Sequence, residues 1–154
     1  MSAHEDAVAK VFHHDSAIPV KLLEPEAQVP TRGSDGAAAY DLYALEDGSL
    51  DRNGVTRVRT GIAMAIPEGC VGLIRERSSQ AVRGITAIAG VIDQDYRGEI
   101  IVVLFNHNGR SEPVEAGDRI AQMLILSVLQ NPMEAMEDLD STTRGGGGFG
   151  STGS

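Results

Sequence analysis

From Ala17 onward no apolar stretch is long enough, or spaced regularly enough, to make a stable helix. Short runs of Val, Ile and Leu are cut by Gly, Pro, Asn and Asp. Such runs, bounded by turn formers, read as strands. The expected strands are 20–23, 39–44, 55–60, 62–66, 71–74, 85–88, 100–106 and 119–128, with shorter pieces at 49–50 and 113–114. One short helical turn is expected at 79–82. The fold class is therefore all-β, a compact β-barrel or jelly-roll-like sandwich. Residues 100–105 are apolar without interruption, so both faces of that strand need cover, from a second sheet or from a neighbouring subunit.

A chain of 154 residues holds one ordinary core, since domains usually take roughly 100–200 residues. We expect 1–16 to be a flexible N-terminal extension, 17–137 the β domain and 138–154 a flexible, Gly-rich C-terminal arm. Glycine is costly to order, and the arm has little apolar surface to offset that cost. His13-His14 in the extension is read as part of a solvated tail. A formal net charge of −9 leaves no broad basic face for a nucleic-acid backbone. Cys70 is the single cysteine and reads as a small buried hydrophobe. With neither a signal-peptide pattern nor a run of ~20 apolar residues, the chain is expected to be soluble and intracellular, cytoplasmic or, in a eukaryote, nuclear.

Four segments carry residue types suited to chemistry. In Gly90-Val91-Ile92-Asp93-Gln94-Asp95-Tyr96-Arg97-Gly98-Glu99-Ile100 two apolar ends flank a polar centre, which is expected to fold back as a hairpin. Free backbone groups at such a tip can hydrogen-bond the edge of a planar base. Asp93, at the end of an apolar run, is placed where partial desolvation suits a general base; a solvated turn aspartate fits the same spacing. Arg77-Ser78-Ser79 follows a strand and opens the short helix, where backbone N–H groups favour anions, although a helix cap explains the serines equally well. The tail offers Arg144, four successive glycines, Phe149, Gly150, Ser151 and Thr152. Together they supply a guanidinium, backbone donors and hydroxyls for phosphate oxygens, and a ring to stack on a base; a plain flexible tail has the same composition. Gly117-Asp118-Arg119-Ile120-Ala121-Gln122 reads as a turn entering a strand, with Gln122 its candidate ligand residue.

Taken in order, these segments resemble the five motifs of the trimeric dUTPase family: Ala39-Tyr40-Asp41-Leu42-Tyr43-Ala44, Arg77-Ser78-Ser79, Gly90 to Ile100, Gly117 to Gln122, and Arg144 to Gly153. The resemblance runs from about Pro19 to the C-terminus. It implies a homotrimer of β-barrel subunits with sites at the interfaces, each completed by the arm of a different chain. It also implies hydrolysis of dUTP to dUMP and pyrophosphate, which provides dUMP for thymidylate synthesis and keeps uracil out of DNA. In that reading Gly90, Val91, Ile92 and Ile101 lie along the uracil edge, and Tyr96 packs under the deoxyribose and excludes a 2′-hydroxyl. Arg77, Ser78 and Ser79 hold the phosphates, Gln122 reaches the phosphate and water region, and Asp93 activates the attacking water. Arg144 clamps the γ-phosphate, Gly150, Ser151 and Thr152 add contacts, and Phe149 stacks over the base. Mg²⁺ is carried by the phosphates and water without a direct protein ligand, with Asp41 at most in its outer shell.

Two positions depart from the family pattern. Glu76 stands where the second motif usually has proline, and Gln80 where it has leucine. A carboxylate beside a triphosphate is unfavourable unless it points away or pairs, with Arg75 the nearest partner in sequence. Two other readings remain: a dCTP deaminase on a related fold, which needs a catalytic glutamate that 100–105 lacks, and a nucleotide-sensing regulatory protein that contacts a partner through its N-terminal extension or the Glu76 region.

Overall fold

The computed structural model describes residues 17–148. Its strands are β1 (Val20–Leu22), β2 (Tyr40–Tyr43), β3 (Gly48–Leu50), β4 (Gly54–Arg59), β5 (Ile62–Met64), β6 (Cys70–Arg75), β7 (Ile85–Ala87), β8 (Val91–Ile92), β9 (Ile101–Asn106), β10 (Glu112–Val114) and β11 (Arg119–Ser127). One helix, α1 (Ser78–Val82), lies between β6 and β7. The all-β expectation holds, and most strand boundaries fall within a residue or two of those expected.

The strands pair antiparallel throughout, in a four-stranded sheet β2-β11-β6-β8, a three-stranded sheet β4-β9-β7 and two ribbons, β1-β5 and β3-β10. Among the described residues no ladder joins these four sheets into a closed barrel. What unites them is one core, to which Leu42, Leu50, Ile62, Ile74, Leu104 and Met123 contribute from six different strands. Each such side chain adds about 1.5–3 kcal/mol by leaving water.

Within the described residues β9 is covered on one face. Its residues alternate: Val102, Leu104 and Asn106 are buried, whereas Ile101, Val103 and Phe105 are only partly covered. The uninterrupted apolar run is thus packed on one face, and the described residues leave the other only partly covered. Asn106 is fully buried yet satisfied. Its amide nitrogen donates to Arg110 O at 2.8 Å and its oxygen accepts from Asn108 N at 3.0 Å, as a buried polar group requires.

Gly90 to Ile100 is not a simple hairpin. Its first arm, β8, pairs with β6, and the strand that follows the segment, β9, pairs with β4 and β7. The segment therefore passes from one sheet to another. Ala89 (φ +62°) and Gly90 (φ +99°) make the preceding reversal from β7 into β8, a pair of left-handed positions that glycine tolerates and alanine does not favour. Cys70 is half-buried against the core. Beyond β11, residues 128–148 form no strand or helix, and Leu129 (93 % exposed), Met133 (100 %) and Leu139 (87 %) stand in solvent. No helix among the described residues is long and apolar enough to cross a membrane.

Candidate active site

β11 is the spine of the site. Its Gln122 lies opposite Asp41 of β2 on one side and Arg75 of β6 on the other, so three polar side chains share one row on one face of the sheet. Next to this row opens a cleft of about 610 Å³ lined by Gly33, Ala37 to Ala39, Asp41, Arg77, Ser78, Ser79, Arg119, Gln122 and Leu124. The first, second and fourth sequence motifs thus meet in space although nearly 80 residues of chain separate Asp41 from Arg119.

Asp41 organises the cationic wall. Its Oδ1 accepts Arg77 Nε at 2.9 Å, and its Oδ2 lies 3.5 Å from Arg119 Nη1. Arg77 also donates through Nη1 to Arg119 O at 3.4 Å. Arg77 is therefore a held guanidinium rather than a free one. Ser78 and Ser79 do not cap the helix: the N-cap position is Arg77, without a side-chain capping bond, and both serines are exposed in the cleft. Their alternative explanation as caps falls away. Gln122 Nε2 donates to Glu76 O at 2.9 Å, which fixes the amide against the turn between β6 and α1.

Glu76 takes the pairing that lets a carboxylate sit here. Oε1 accepts Arg75 Nη2 at 3.0 Å, and Oε2 accepts Ala87 N at 3.4 Å. Its own backbone N–H, and to a lesser degree Arg75 and Ala87 N–H, hold this carboxyl below the ordinary glutamate range although burial opposes them. Among the described residues no three His, Cys, Asp or Glu side chains converge on a metal-sized space.

Asp93 and the base-edge residues lie elsewhere on the chain. β8 is an edge strand of its sheet, with Gly90 O accepting Ile74 N at 2.8 Å on the paired side and Val91 65 % exposed. Asp93 is exposed and does not line the cleft, so the desolvated setting expected for it is not supplied by the described residues. Gln94 braces the loop by accepting Gly69 N at 2.7 Å. Tyr96 donates its hydroxyl to Glu99 O at 3.0 Å, and its ring occupies the space where a Cβ on Gly98 would stand, 2.6 Å from Cζ. Ile101 opens β9, opposite Arg59.

Arg144 closes a turn of its own, donating from Nε to Gly147 O at 2.8 Å, and does not line the cleft. Phe149, Gly150, Ser151 and Thr152 lie outside the described residues. The pairing of Arg75 with Glu76 was anticipated from sequence, whereas Arg119 was given no role of its own within the fourth motif; its signal was a lone guanidinium at the mouth of an apolar strand. The small residues Gly33, Ala37 and Ala38 were missed, since their contribution is the room they leave.

An all-β domain with an arginine- and serine-lined cleft at one sheet and an exposed acid on a separate edge defines a protein suited to a small polyanionic ligand. A family model described as dUTPase matches residues 25–153, and the chain belongs to the dUTPase family. It is 46 % identical over 140 residues to deoxyuridine 5'-triphosphate nucleotidohydrolase of Yarrowia lipolytica, covering 89 % of each chain. It is 44 % identical over 139 residues to the protein of that name from Paramecium bursaria Chlorella virus 1, covering 90 % of this chain and 99 % of that one. The fold matches the Staphylococcus bacteriophage 80alpha dUTPase with dUPNHPP at a TM-score of 0.84 and 28 % identity, over 90 % of this chain and 99 % of that one.

Proposed function

We propose that this chain hydrolyses dUTP to dUMP and pyrophosphate, acting as a homotrimer. The single observation that carries the reading is the separation of its parts. Arg77, Ser78, Ser79 and Gln122 gather in one cleft, while Gly90, Val91, Ile92, Asp93 and Tyr96 stand on a strand edge and loop outside that cleft's lining. Complementary halves on one surface are what a site between identical copies needs. The half-covered face of β9 and the exposed apolar residues of 129–139 support the same assembly.

In that assembly the unpaired edge of β8 reads the uracil rim. Uracil presents an N3–H donor between two carbonyls, and cytosine would leave buried groups unpaired. Tyr96, pinned by its bond to Glu99 O, forms the floor beneath the deoxyribose and leaves no room for a 2′-hydroxyl. Arg77 and the two serine hydroxyls take the phosphate oxygens, with Gln122 beside them. Asp93 accepts a proton from water as the water oxygen bonds to the α-phosphorus; the bond from that phosphorus to the bridging oxygen breaks, and pyrophosphate leaves with the electron pair. Arg144 clamps the γ-phosphate, Gly150, Ser151 and Thr152 add contacts, and Phe149 closes over the base, excluding water.

Mg²⁺ would arrive on the triphosphate, not on a protein site, since no three ligand side chains converge among the described residues. Both oxygens of Asp41 face arginines, so the protein would offer the ion at most a carboxylate through water, and the ion would supply charge neutralisation on the phosphates. The product dUMP then serves thymidylate synthesis, and removal of dUTP keeps uracil out of DNA. Pyrophosphate release measured across dUTP, dCTP, dTTP and UTP tests base, sugar and reaction type together: only dUTP should turn over strongly. Ammonia released from dCTP would replace this reading with a deaminase. Asp93→Asn should bind dUTP normally with kcat down by orders of magnitude, and unchanged turnover would remove Asp93 from its role.

A further inference from the structure

The turn that carries Arg77, Ser78 and Ser79 leaves β6 at Arg75 and enters α1 three residues later. A helix of five residues cannot hold its own position, because so short a segment is not stable by itself. Asp41 holds the Arg77 side chain, but the backbone of the turn needs a separate tether. Glu76 supplies three links at one residue. Its carbonyl accepts Gln122 Nε2 at 2.9 Å, its Oε1 takes Arg75 Nη2 at 3.0 Å and its Oε2 takes Ala87 N at 3.4 Å. The turn is thereby tied to β11 on one side and to β7 on the other. Arg75 lies in the same row of the sheet as Gln122, so the carboxylate also offsets that cation beside the cleft.

We infer that Glu76 is a positioning residue for triphosphate binding, holding the Arg77-Ser78-Ser79 turn against β7 and the Gln122 amide through its carboxylate and carbonyl. The inference rests on the dUTP-hydrolysing reading for its substrate. Its effect falls on the phosphate half of the ligand. The nucleoside half is read by β8, which Glu76 does not touch. The net interaction with an anion is favourable although a carboxylate is present, because Arg75 neutralises it locally and the gain is one of preorganised donors.

The test compares wild type, Glu76→Ala and Glu76→Gln with two probes, deoxyuridine and the non-hydrolysable dUpNHpp with Mg²⁺, by calorimetry, alongside steady-state dUTP kinetics. Glu76→Ala should weaken dUpNHpp about tenfold and raise KM to match, with kcat within about twofold and deoxyuridine affinity unchanged. Glu76→Gln, which keeps an acceptor for Ala87 N–H but loses the charge facing Arg75, should fall between the two, and it provides the measurement if the alanine variant does not fold. Unchanged dUpNHpp affinity, or an equal loss for deoxyuridine, would overturn the assignment. If wild type binds neither nucleoside nor analogue, the dUTP reading itself has failed. Inorganic tripolyphosphate then becomes the probe: weaker binding by Glu76→Ala supports the positioning role and equal binding overturns it.

Discussion

Arg77 Nε stands 2.9 Å from Asp41 Oδ1, and the same carboxylate, 12 % exposed, reaches Arg119 through its other oxygen. Asp41→Asn keeps the shape and leaves two neighbouring guanidiniums without their shared counter-charge. Removing an anion would by itself favour a triphosphate, so the sign of the effect identifies what Asp41 does. If it aims the arginines, KM for dUTP rises severalfold and thermal stability falls by about 1–2 kcal/mol. Tighter dUTP binding in the variant would show that Asp41 merely competes with the substrate.

Gly90 is required twice over. Its φ of +99° is open to glycine, and a Cβ there would lie 2.8 Å from the Cβ of the buried Ile74. Gly90→Ala should therefore cost more than the ~1 kcal/mol of an unfavourable dihedral alone, read as a lower denaturant midpoint at unchanged slope. Its neighbour Ala89, at φ +62°, gives the control: Ala89→Gly relieves the dihedral while freeing the unfolded chain, and stability should move by less than about 1 kcal/mol.

The strands were legible because their apolar runs and turn residues are local signals, and β4, β6, β9 and β11 lie close to where the pattern puts them. The expected barrel is not closed by ladders among the described residues, and local signals could not tell this, because closure depends on which edges meet. The hairpin reading of Gly90 to Ile100 failed for the same reason: two apolar arms predict strands, but the positive φ at Ala89 and Gly90 sends the first arm to β6. In the site, Arg77, Ser78, Ser79 and Gln122 were found by motif and meet in one cleft. Arg119 was not found, because its relevance comes only from the register that sets β11 beside Asp41. The setting of Asp93 was not readable, since none of the described residues covers it.

Glu112 is buried between two cations, with Oε2 2.8 Å from Arg83 Nη2 and Oε1 2.9 Å from Arg110 Nε. Arg110 first, then Arg83, hold its carboxyl below the ordinary range against the effect of burial. A depressed folded-state value means that the stabilisation is fully present above the unfolded value of about 4.3 and is lost as pH falls through the folded one. The Tm difference between wild type and Glu112→Gln should thus be constant near neutrality and shrink below about pH 4. A difference that persists undiminished into strong acid would show that the pair adds packing rather than charge.

The arm makes the sharpest separation between folding and function. Gly145 N–H donates to Thr142 O at 3.1 Å and Arg144 Nε to Gly147 O, so the described part of this turn is bonded within itself, and residues 144–148 do not line the cleft. Deleting 145–154 should leave Tm within about a degree and the oligomeric mass unchanged, because the backbone bonds of its described part are made within the arm's own turn. It should lower kcat/KM for dUTP by about a hundredfold or more, since the closing ring, hydroxyls and backbone donors go together. Deoxyuridine should lose only the stacking on Phe149, while the triphosphate loses that and its clamp. Full activity in the truncated protein would assign closure to some other segment, and a fall in oligomeric mass would make the arm a structural strap instead of a lid.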